Sequence, residues 1–396
     1  MIVFIPKESR NGETRVGASP DTIKKLVSYG FAVHVEKGAG LGSRILDESF
    51  KNAGAAIATA KSAGTADVVL KVLRPTPAES KKYKKGAVVL ASMDPFGNEA
   101  DVKAMASAGL SAFAMEFMPR ITRAQVMDVL SSQANLAGYQ AVVEGAAEYD
   151  RALPMMMTAA GTVPAAKCFV MGAGVAGLQA IATARRLGAV VTATDVRPAA
   201  KEQVESLGAK FIAVEDEEFK QAETAGGYAK EMSKEYQAKQ AELVASHIAK
   251  QDIVITTALI PGRPAPKLIS KEMIKAMAPG SVIVDLAVER GGNVEGAKPG
   301  KIEKIEGVSI VGHLNMPGRI AASASLLYAK NLLAFLETMI DKETGKFAVD
   351  WEDELVQATL LTKDGKIVHP AFTDQGQKQT AKKALAKSGQ NAKEKG

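Results

Sequence analysis

Three glycines at the spacing Gly-x-Gly-x-x-Gly are the residues of this chain best suited to binding a ligand. They are Gly172, Gly174 and Gly177, and they stand between an apolar run over 168–171 and a helical pattern over 178–187. Gly172 allows a tight turn, Gly174 lets the backbone approach a pyrophosphate, and Gly177 allows a helix to pack closely on a strand. Because helix N-termini favour phosphate charge, the strand, glycines and helix together predict a dinucleotide site.

A carboxylate follows the next predicted strand, over 190–194. Asp195 lies about 20 residues beyond the first glycine, where an acidic side chain accepts hydrogen bonds from ribose hydroxyls. Such a side chain repels a 2′-phosphate, so we expect NAD rather than NADP. Arg197 could stack on adenine or weaken this exclusion. The competing interpretation makes Asp195 only a turn residue at the end of a strand.

Polar side chains cluster near the start of a long helix predicted over 122–149. Gln125, Asp128 and Ser132 are spaced i, i+3, i+7, which places them on one face of that helix. They could meet a ligand held between two domains. On spacing alone, a solvated helix face is the preferred explanation.

Two glycines precede an aromatic residue in an otherwise charged, helix-prone stretch. Gly226 and Gly227 are hinge candidates, and Tyr228 could lie over a bound ligand as part of a mobile lid. A plain loop with a packing tyrosine explains the same residues.

The four histidines are scattered, and none has a cysteine or carboxylate at metal-ligand spacing, so we expect no metal. His313 and Asn315 follow a predicted strand at the ligand-facing edge and could lie near the nicotinamide. Asn315 is the preferred of the two. No Gly-x-Ser-x-Gly elbow or catalytic thiolate is indicated.

Short β-branched runs alternate with helical patterns, which is typical of parallel sheets in α/β proteins. We predict two doubly wound, Rossmann-like domains joined by long connector helices, over 122–149 and 321–339. Residues 348–368 are predicted to form a C-terminal hairpin of two strands around Lys363-Asp364-Gly365, since Asp-Gly suits the positive φ of a turn. The N-terminal domain is expected to be discontinuous, 1–125 plus 320–376. A Rossmann NAD-binding domain over 126–319 and a disordered basic tail over 377–396 complete the division.

Composition limits the class of protein. The chain has 396 residues, of which 46% are hydrophobic and 24% charged, as in soluble globular proteins. The net charge of +6 comes largely from the lysine-rich tail, which is expected to be solvated, and no nucleic-acid partner is expected. One cysteine, Cys168, excludes an internal disulfide and favours a reducing compartment. No apolar run reaches the roughly 20 residues that span a bilayer, and the N-terminus resembles a first strand rather than a leader.

Several of these segments together resemble the NAD(H)-binding component, domain I, of proton-translocating NAD(P) transhydrogenase. The likeness runs from residue 1 to about residue 376. It is carried by the polar stretch 119–135, Pro154-Met155-Met156-Met157 and the residues following to 162, the glycine motif, Gly226-Gly227-Tyr228, and Thr256-Thr257-Ala258-Leu259-Ile260-Pro261-Gly262.

The resemblance implies that NAD(H) binds on this chain and exchanges hydride directly with NADP(H) on a partner subunit, with proton movement through membrane-spanning subunits coupled to the exchange. It also implies a homodimer, located in the cytoplasm and attached peripherally to the inner membrane through those partners. By resemblance, the nicotinamide and its ribose would be surrounded by Arg120, Gln125, Asp128, Ser131 and Ser132. The adenosine side would be held by Val175, Asp195, Val196 and Arg197. Gly227 and Tyr228 would belong to the mobile loop, and Thr257 and Leu259 would border the cofactor. Arg120, Gln125, Asp128 and Tyr228 are the residues closest to the chemistry in this assignment.

Two other classes remain open. A soluble amino-acid dehydrogenase of the alanine dehydrogenase kind shares this architecture and resembles the chain at Arg15-Val16, Lys71 and Asn315-Met316-Pro317. That family's catalytic histidine falls in the loop after the fourth strand, whereas residues 91–97 here contain none. A non-catalytic NAD-sensing module would keep the glycine motif and need no polar cluster at 120–128.

Overall fold

The alternating apolar runs fold as strands and the segments between them largely as helices. The computed structural model describes residues 1–220, 232–260, 262–341 and 344–373. They divide into two units: unit 1 joins Met1–Ser132 to the chain from Ala321 onward, and unit 2 is Gln133–Ile320. The first border therefore falls at Ser132, whereas the sequence suggested residue 125.

Unit 1 begins with six strands and four α-helices, which alternate except that β4 follows β3 without an α-helix between them. They are β1 (Ile2–Ile5), α1 (Pro20–Ser28), β2 (Ala32–Glu36), α2 (Asp47–Asn52), β3 (Ala56–Ala58), β4 (Val68–Leu73), α3 (Pro77–Ser80), β5 (Val88–Ser92), α4 (Glu99–Ser107) and β6 (Ser111–Ala114). The helix α5 (Val129–Glu148) follows and contains the border between the units.

Beyond α5, the described residues of unit 2 form nine strands and five α-helices. They are β7 (Met156–Thr158), β8 (Gly161–Val163), β9 (Lys167–Met171), α6 (Val175–Arg186), β10 (Val190–Thr194), α7 (Ala200–Ser206), β11 (Lys210–Phe211), α8 (Glu217–Lys220), α9 (Lys234–Ile248), β12 (Ile253–Thr256), α10 (Lys271–Lys275), β13 (Val282–Asp285), β14 (Ile302–Ile305) and β15 (Val308–Val311). The chain returns to unit 1 with α11 (Ala321–Glu337), α12 (Glu354–Thr359), β16 (Leu360–Lys363) and β17 (Lys366–Ile367).

Both units contain a doubly wound sheet, as predicted. The order in unit 1 is β3-β2-β1-β4-β5-β6-β16-β17, with β16 antiparallel to β6. In unit 2 the order is β11-β10-β9-β12-β13-β15-β14, with β14 antiparallel at the edge. In each sheet the strand order reverses once, between β1 and β4 and between β9 and β12. Ligands of doubly wound sheets bind at such a switch point, beyond the carboxyl ends of the strands.

The central strands of unit 2 are buried on both faces, which explains their unbroken apolar sequence. Ile253, Val254, Ile255 and Thr256 of β12 are all buried. Cys168 in β9 is also buried, and burial raises the pKa of its thiol to about 12. The buried strand β9 therefore fixes the start of the glycine motif, which follows it directly.

The C-terminal hairpin is confirmed at its turn but was predicted to be too long. Asp364 and Gly365 have φ of 50° and 80°, as the Asp-Gly signal indicated, and β16 pairs with β17 around them. The residues before β16 form α12 instead of a strand. Asp353 caps this helix, because its carboxylate accepts hydrogen bonds from the N–H groups of Leu355 and Val356.

Candidate functional site

The loop between β9 and α6 needs two of its glycines for reasons internal to the protein. Gly172 has φ of 106°, and a Cβ there would lie 2.5 Å from Thr257 Oγ1. A Cβ on Gly177 would lie 1.8 Å from the carbonyl oxygen of Gly172. Any side chain at either position would force the strand, the loop or the helix to move. The roles predicted for Gly172 and Gly177 are therefore supported by the geometry.

Gly174 is different, because the protein itself leaves the space beside it open. Its φ of −76° and ψ of −168° suit any residue, and an added Cβ would meet no atom within 4 Å. Gly174 is the N-cap of the 12-residue α6 and supplies no side-chain capping bond. The first backbone N–H groups of a helix attract anions. An open approach to this helix end is the geometry that a pyrophosphate requires.

Asp195, at the carboxyl end of β10, is bound to both its own turn and the glycine loop. Its Oδ2 accepts the N–H of Ala173 at 2.7 Å, and its Oδ1 accepts the N–H of Arg197 at 2.9 Å. The carboxylate thus fixes the second residue of the glycine motif and closes a local turn. These two bonds support the interpretation of Asp195 as a turn residue, and they also place its carboxylate beside the glycine loop, where the ribose is predicted to bind. Val196, next along the chain, is 65% exposed.

The loop after β12 borders the glycine loop across the switch point. Thr257 donates its hydroxyl to the carbonyl of Gly172 at 3.1 Å, and its N–H binds the carbonyl of Met171 at 2.9 Å. Leu259, two residues on, is 52% exposed. Thr257 therefore ties the two loops together, whereas Leu259 presents an apolar surface beside them.

Two buried polar residues that the sequence analysis did not single out support this second loop: Asn293 binds it directly, and Asp285 binds the segment that carries Asn293. Asn293 accepts the N–H of Ala258 at 3.0 Å and donates to the carbonyls of Ala258 and Pro266 at 2.9 and 2.8 Å. Asp285, at the end of β13, accepts the N–H groups of Ala287 and Val294. The available signal was a strand ending in Asp285, followed by two glycines immediately before Asn293.

The polar cluster of unit 1 does not lie on one helix face, so that prediction was wrong. Residues Thr122–Met127 form a 3₁₀ helix, and Asp128 has an extended backbone. The α-helix begins only at Val129, because Asp128 acts as its N-cap and accepts the N–H of Ser131 at 2.9 Å. Aspartate competes with helical hydrogen bonding in this way when it precedes a helix. Arg120 and Gln125 are exposed.

Ser132 is engaged inside unit 1. Its hydroxyl donates to Asn331 Oδ1 at 2.7 Å, and Asn331 Nδ2 donates to the carbonyl of Val126 at 2.7 Å. These bonds fasten the start of α5 and the 3₁₀ helix before it to α11. The segment that carries the predicted site residues from Gln125 to Ser132 is therefore held in place within unit 1.

Comparison with known proteins identifies the family. Residues 4–137 match the family described as alanine dehydrogenase/PNT, N-terminal domain, and residues 141–370 match the corresponding C-terminal domain. Over 383 residues the chain is 58% identical to the first part of the alpha subunit of NAD(P) transhydrogenase from Rhodospirillum rubrum, and the match covers 95% of this chain and 100% of that protein.

The chain belongs to the alanine dehydrogenase/PNT family. Within this family it is more similar to the transhydrogenase branch. A crystal structure of transhydrogenase from Sinorhizobium meliloti is 68% identical, with a TM-score of 0.86 over 93% of this chain and 100% of that one. The alanine dehydrogenase of Bacillus subtilis is 29% identical over 94% of this chain and 93% of its own length.

Lys71 and Arg15 are among the residues at which the chain resembles alanine dehydrogenases, and both are paired with carboxylates of unit 1. Lys71 is buried, with its Nζ 3.1 Å from Glu8 Oε2 and 3.1 Å from Glu79 Oε1. Arg15 Nη2 lies 2.7 Å from Glu13 Oε2. Each of these two cations therefore already has a carboxylate partner within unit 1.

The two residues predicted near the nicotinamide at the end of β15 are engaged within unit 2. His313 Nε2 lies 3.4 Å from Glu144 Oε2, and burial together with the charge of Arg319 lowers the pKa of this histidine. Asn315 has φ of 46°, and its Oδ1 accepts the N–H of Gly318 at 3.2 Å. The side chain of Asn315 thus shapes its own loop, in the left-handed conformation that asparagine tolerates.

The predicted lid and the basic tail fall beyond the part of the chain that the structure describes. Gly226, Gly227 and Tyr228 lie outside the described residues, as does the tail over 377–396. Among the described residues, no group of three or more histidines, cysteines or carboxylates is arranged to hold a metal ion. The helices in the described ranges also include none with the length and hydropathy needed to cross a bilayer.

Proposed function

We propose that this chain is the NAD(H)-binding component of a proton-translocating NAD(P) transhydrogenase. The similarity to the alpha-subunit segment of the R. rubrum enzyme, over 95% of the chain, supports the assignment to this enzyme. The observation that carries nucleotide binding is the open approach to the N-terminus of α6 beside Gly174, next to the carboxylate of Asp195.

We place the pyrophosphate and the adenosine of the dinucleotide on residues of unit 2. The N–H groups that begin α6, at Gly174 and Val175, would hold the pyrophosphate. The adenosine ribose would bind Asp195, with Val196 and Arg197 on the adenosine side. Thr257 and Leu259 would border the cofactor from the loop after β12. We assign the nicotinamide end by family resemblance to Arg120, Gln125, Asp128, Ser131 and Ser132, together with Gly227 and Tyr228.

When bound, the nicotinamide supplies the hydride chemistry, so the residues of this chain need only bind, orient and exclude water. NADP(H) on a partner subunit is the other substrate. No side chain is required to donate or accept a proton, and a histidine-free loop over 91–97 is consistent with that. Reductive amination, by contrast, would need a proton carrier beside the keto acid.

The proposal extends to the assembly. The partners would be the membrane-spanning and NADP(H)-binding subunits of the transhydrogenase, and this chain would form a homodimer at the cytoplasmic face of the inner membrane. The name of the R. rubrum relative, which denotes a segment of one subunit, supports the existence of partners.

The deciding experiment is a hydride-transfer assay with purified chain, NADH and a partner subunit loaded with NADP⁺. A parallel reaction replaces the partner with pyruvate and ammonium. We expect partner-dependent formation of NADPH and no reduction of pyruvate. Pyruvate reduction without transfer to the partner's nucleotide would make the chain an alanine-type dehydrogenase. NADH binding with neither reaction would leave a nucleotide-sensing module.

A further inference from the structure

Every acceptor position of the Asp195 carboxylate is filled in the structure. An ionised carboxylate offers about four such positions, two on each oxygen. Oδ1 accepts the backbone N–H and the Nε of Arg197, both at 2.9 Å. Oδ2 accepts the N–H of Ala173 at 2.7 Å and the Nη2 of Arg197 at 3.0 Å. A ribose can therefore bind Asp195 only by replacing one of these donors.

The four donors are of two kinds. The two backbone N–H groups belong to the loops that Asp195 holds, and they cannot leave without reshaping those loops. The other two donors belong to the guanidinium, which binds one carboxylate oxygen with each of two nitrogens. The side chain of Asp195 is 8% exposed and that of Arg197 is 34% exposed, so the guanidinium lies nearer to solvent and is the donor that can be replaced without reshaping either loop.

The two neighbouring hydroxyls of a nucleotide ribose need the same acceptor positions as a guanidinium, because they also present two donors to one carboxylate. We propose that Arg197 is an internal competitor for the ribose: in the free chain its guanidinium occupies the two positions on Asp195 that NAD(H) needs, and it must leave for the nucleotide to bind. This inference rests on the proposed function. It makes Arg197 a residue that sets nucleotide affinity through Asp195, in addition to any direct contact with the adenosine.

A double-mutant cycle separates competition from direct contact. NADH is titrated by its own fluorescence into the wild-type chain, Arg197→Ala, Asp195→Asn and the double variant. Asparagine keeps the shape of the aspartate and its bond to Ala173 but binds a guanidinium weakly. Any direct contact of Arg197 with the nucleotide is lost equally in both backgrounds and cancels.

The measured quantity is the ratio of the Kd for NADH with alanine at residue 197 to the Kd with arginine there. We expect this ratio to be about threefold to fivefold lower when residue 195 is aspartate than when it is asparagine, the range typical of a partly exposed ion pair. Arg197→Lys should give part of the same gain, since an ammonium keeps the charge but cannot fill both positions. Lys201→Ala is the matched control. It removes a nearby lysine that pairs with Glu215 rather than with Asp195 and should show no such coupling.

Equal effects of Arg197→Ala in both backgrounds would overturn the proposal, as would a larger loss of affinity in the aspartate background. Coupling of the same size for Lys201→Ala would also overturn it, since general electrostatics would then account for the gain. The proposed function fails in a different way: a wild-type chain that binds no NADH would refute it before any variant is compared.

Discussion

Replacing Gly174 by alanine tests whether the open space at the start of α6 serves a ligand. The added methyl would meet no protein atom within 4 Å, and φ of −76° with ψ of −168° suits alanine. If the pyrophosphate approaches this backbone as closely as the motif requires, the methyl would stand in its way. Binding should then fail while the fold remains.

The expected change in stability is small because two effects oppose each other. Alanine lowers the entropy of the unfolded chain, which stabilises a compatible site by about 0.4–1 kcal/mol. Alanine is also a poorer N-cap than glycine, by an amount on the order of 0.5–1 kcal/mol. The free energy of unfolding should therefore stay within about 1 kcal/mol of wild type. Loss of a close phosphate contact should weaken NADH binding at least about tenfold, or 1.4 kcal/mol.

Gly177→Ala is the matched control on the same loop. Its methyl would lie 1.8 Å from the carbonyl oxygen of Gly172, so the backbone must move and stability should fall by about 1–3 kcal/mol. Urea unfolding and NADH titration are measured on both variants. Unchanged NADH affinity in Gly174→Ala would refute the placement of the pyrophosphate, and a large loss of stability in that variant would refute the description of the site as open.

Three further predictions concern the residues that brace the site. Asn293→Leu should lower the free energy of unfolding by about 2–4 kcal/mol, because three buried bonds to one loop are lost, and urea denaturation would detect it. Asp128→Ala should cost about 0.5–2 kcal/mol in the same assay through loss of the helix cap, and an unchanged value would contradict the capping role. Burial raises the pKa of Glu144, but hydrogen bonds from Arg319 and Gln140 outweigh it and leave the pKa below the ordinary 4.5. This carboxylate therefore contributes stability above pH 4.5 that is lost as the pH falls through its lowered folded-state pKa, and Glu144→Gln should flatten that acid limb in a pH series of unfolding curves.

The fold could be predicted from the sequence where the spacing of apolar residues and the residues that favour turns indicate the same element. The strand β10 begins and ends at the predicted residues, 190–194, because it is a short run of mostly β-branched residues that ends at the polar Asp195. The Asp-Gly turn of the C-terminal hairpin followed from the same kind of local signal.

Features that depend on tertiary pairing were missed. The edge strands β3 and β14 are short and only partly apolar, so alternation alone does not mark them. The hairpin of β7 and β8 has six exposed residues and turns at Ala159-Ala160, with no Asn-Gly or Asp-Gly signal. Asp128 and Asp353 each cap a helix, so α5 begins later than the predicted helix and α12 replaces part of the predicted hairpin. In both places a local hydrogen bond to a carboxylate determines where the helix starts, which the spacing of apolar residues does not show.

The candidate site was predictable where it is formed by the backbone of one continuous segment. The glycine motif and Asp195 are local in sequence, and their geometry follows from one strand, one turn and one helix. Asn293 binds the loop after β12 from another part of the chain, and Asp285 binds the segment that carries Asn293, so no local pattern connects either residue to that loop. The pairing of Arg197 with Asp195 is a choice of side-chain conformation, which spacing does not determine.

The position of Cys168 makes the chain its own reporter of unfolding. Burial raises the thiol pKa to about 12 and encloses the side chain in the sheet, so the folded chain offers an alkylating agent neither a thiolate nor access to the sulfur. A pulse of alkylating agent would therefore label only molecules in which the central sheet of unit 2 has opened. Because Cys168 is the single cysteine of the chain, the labelled fraction, read as one mass shift, counts those openings directly, with or without nucleotide present.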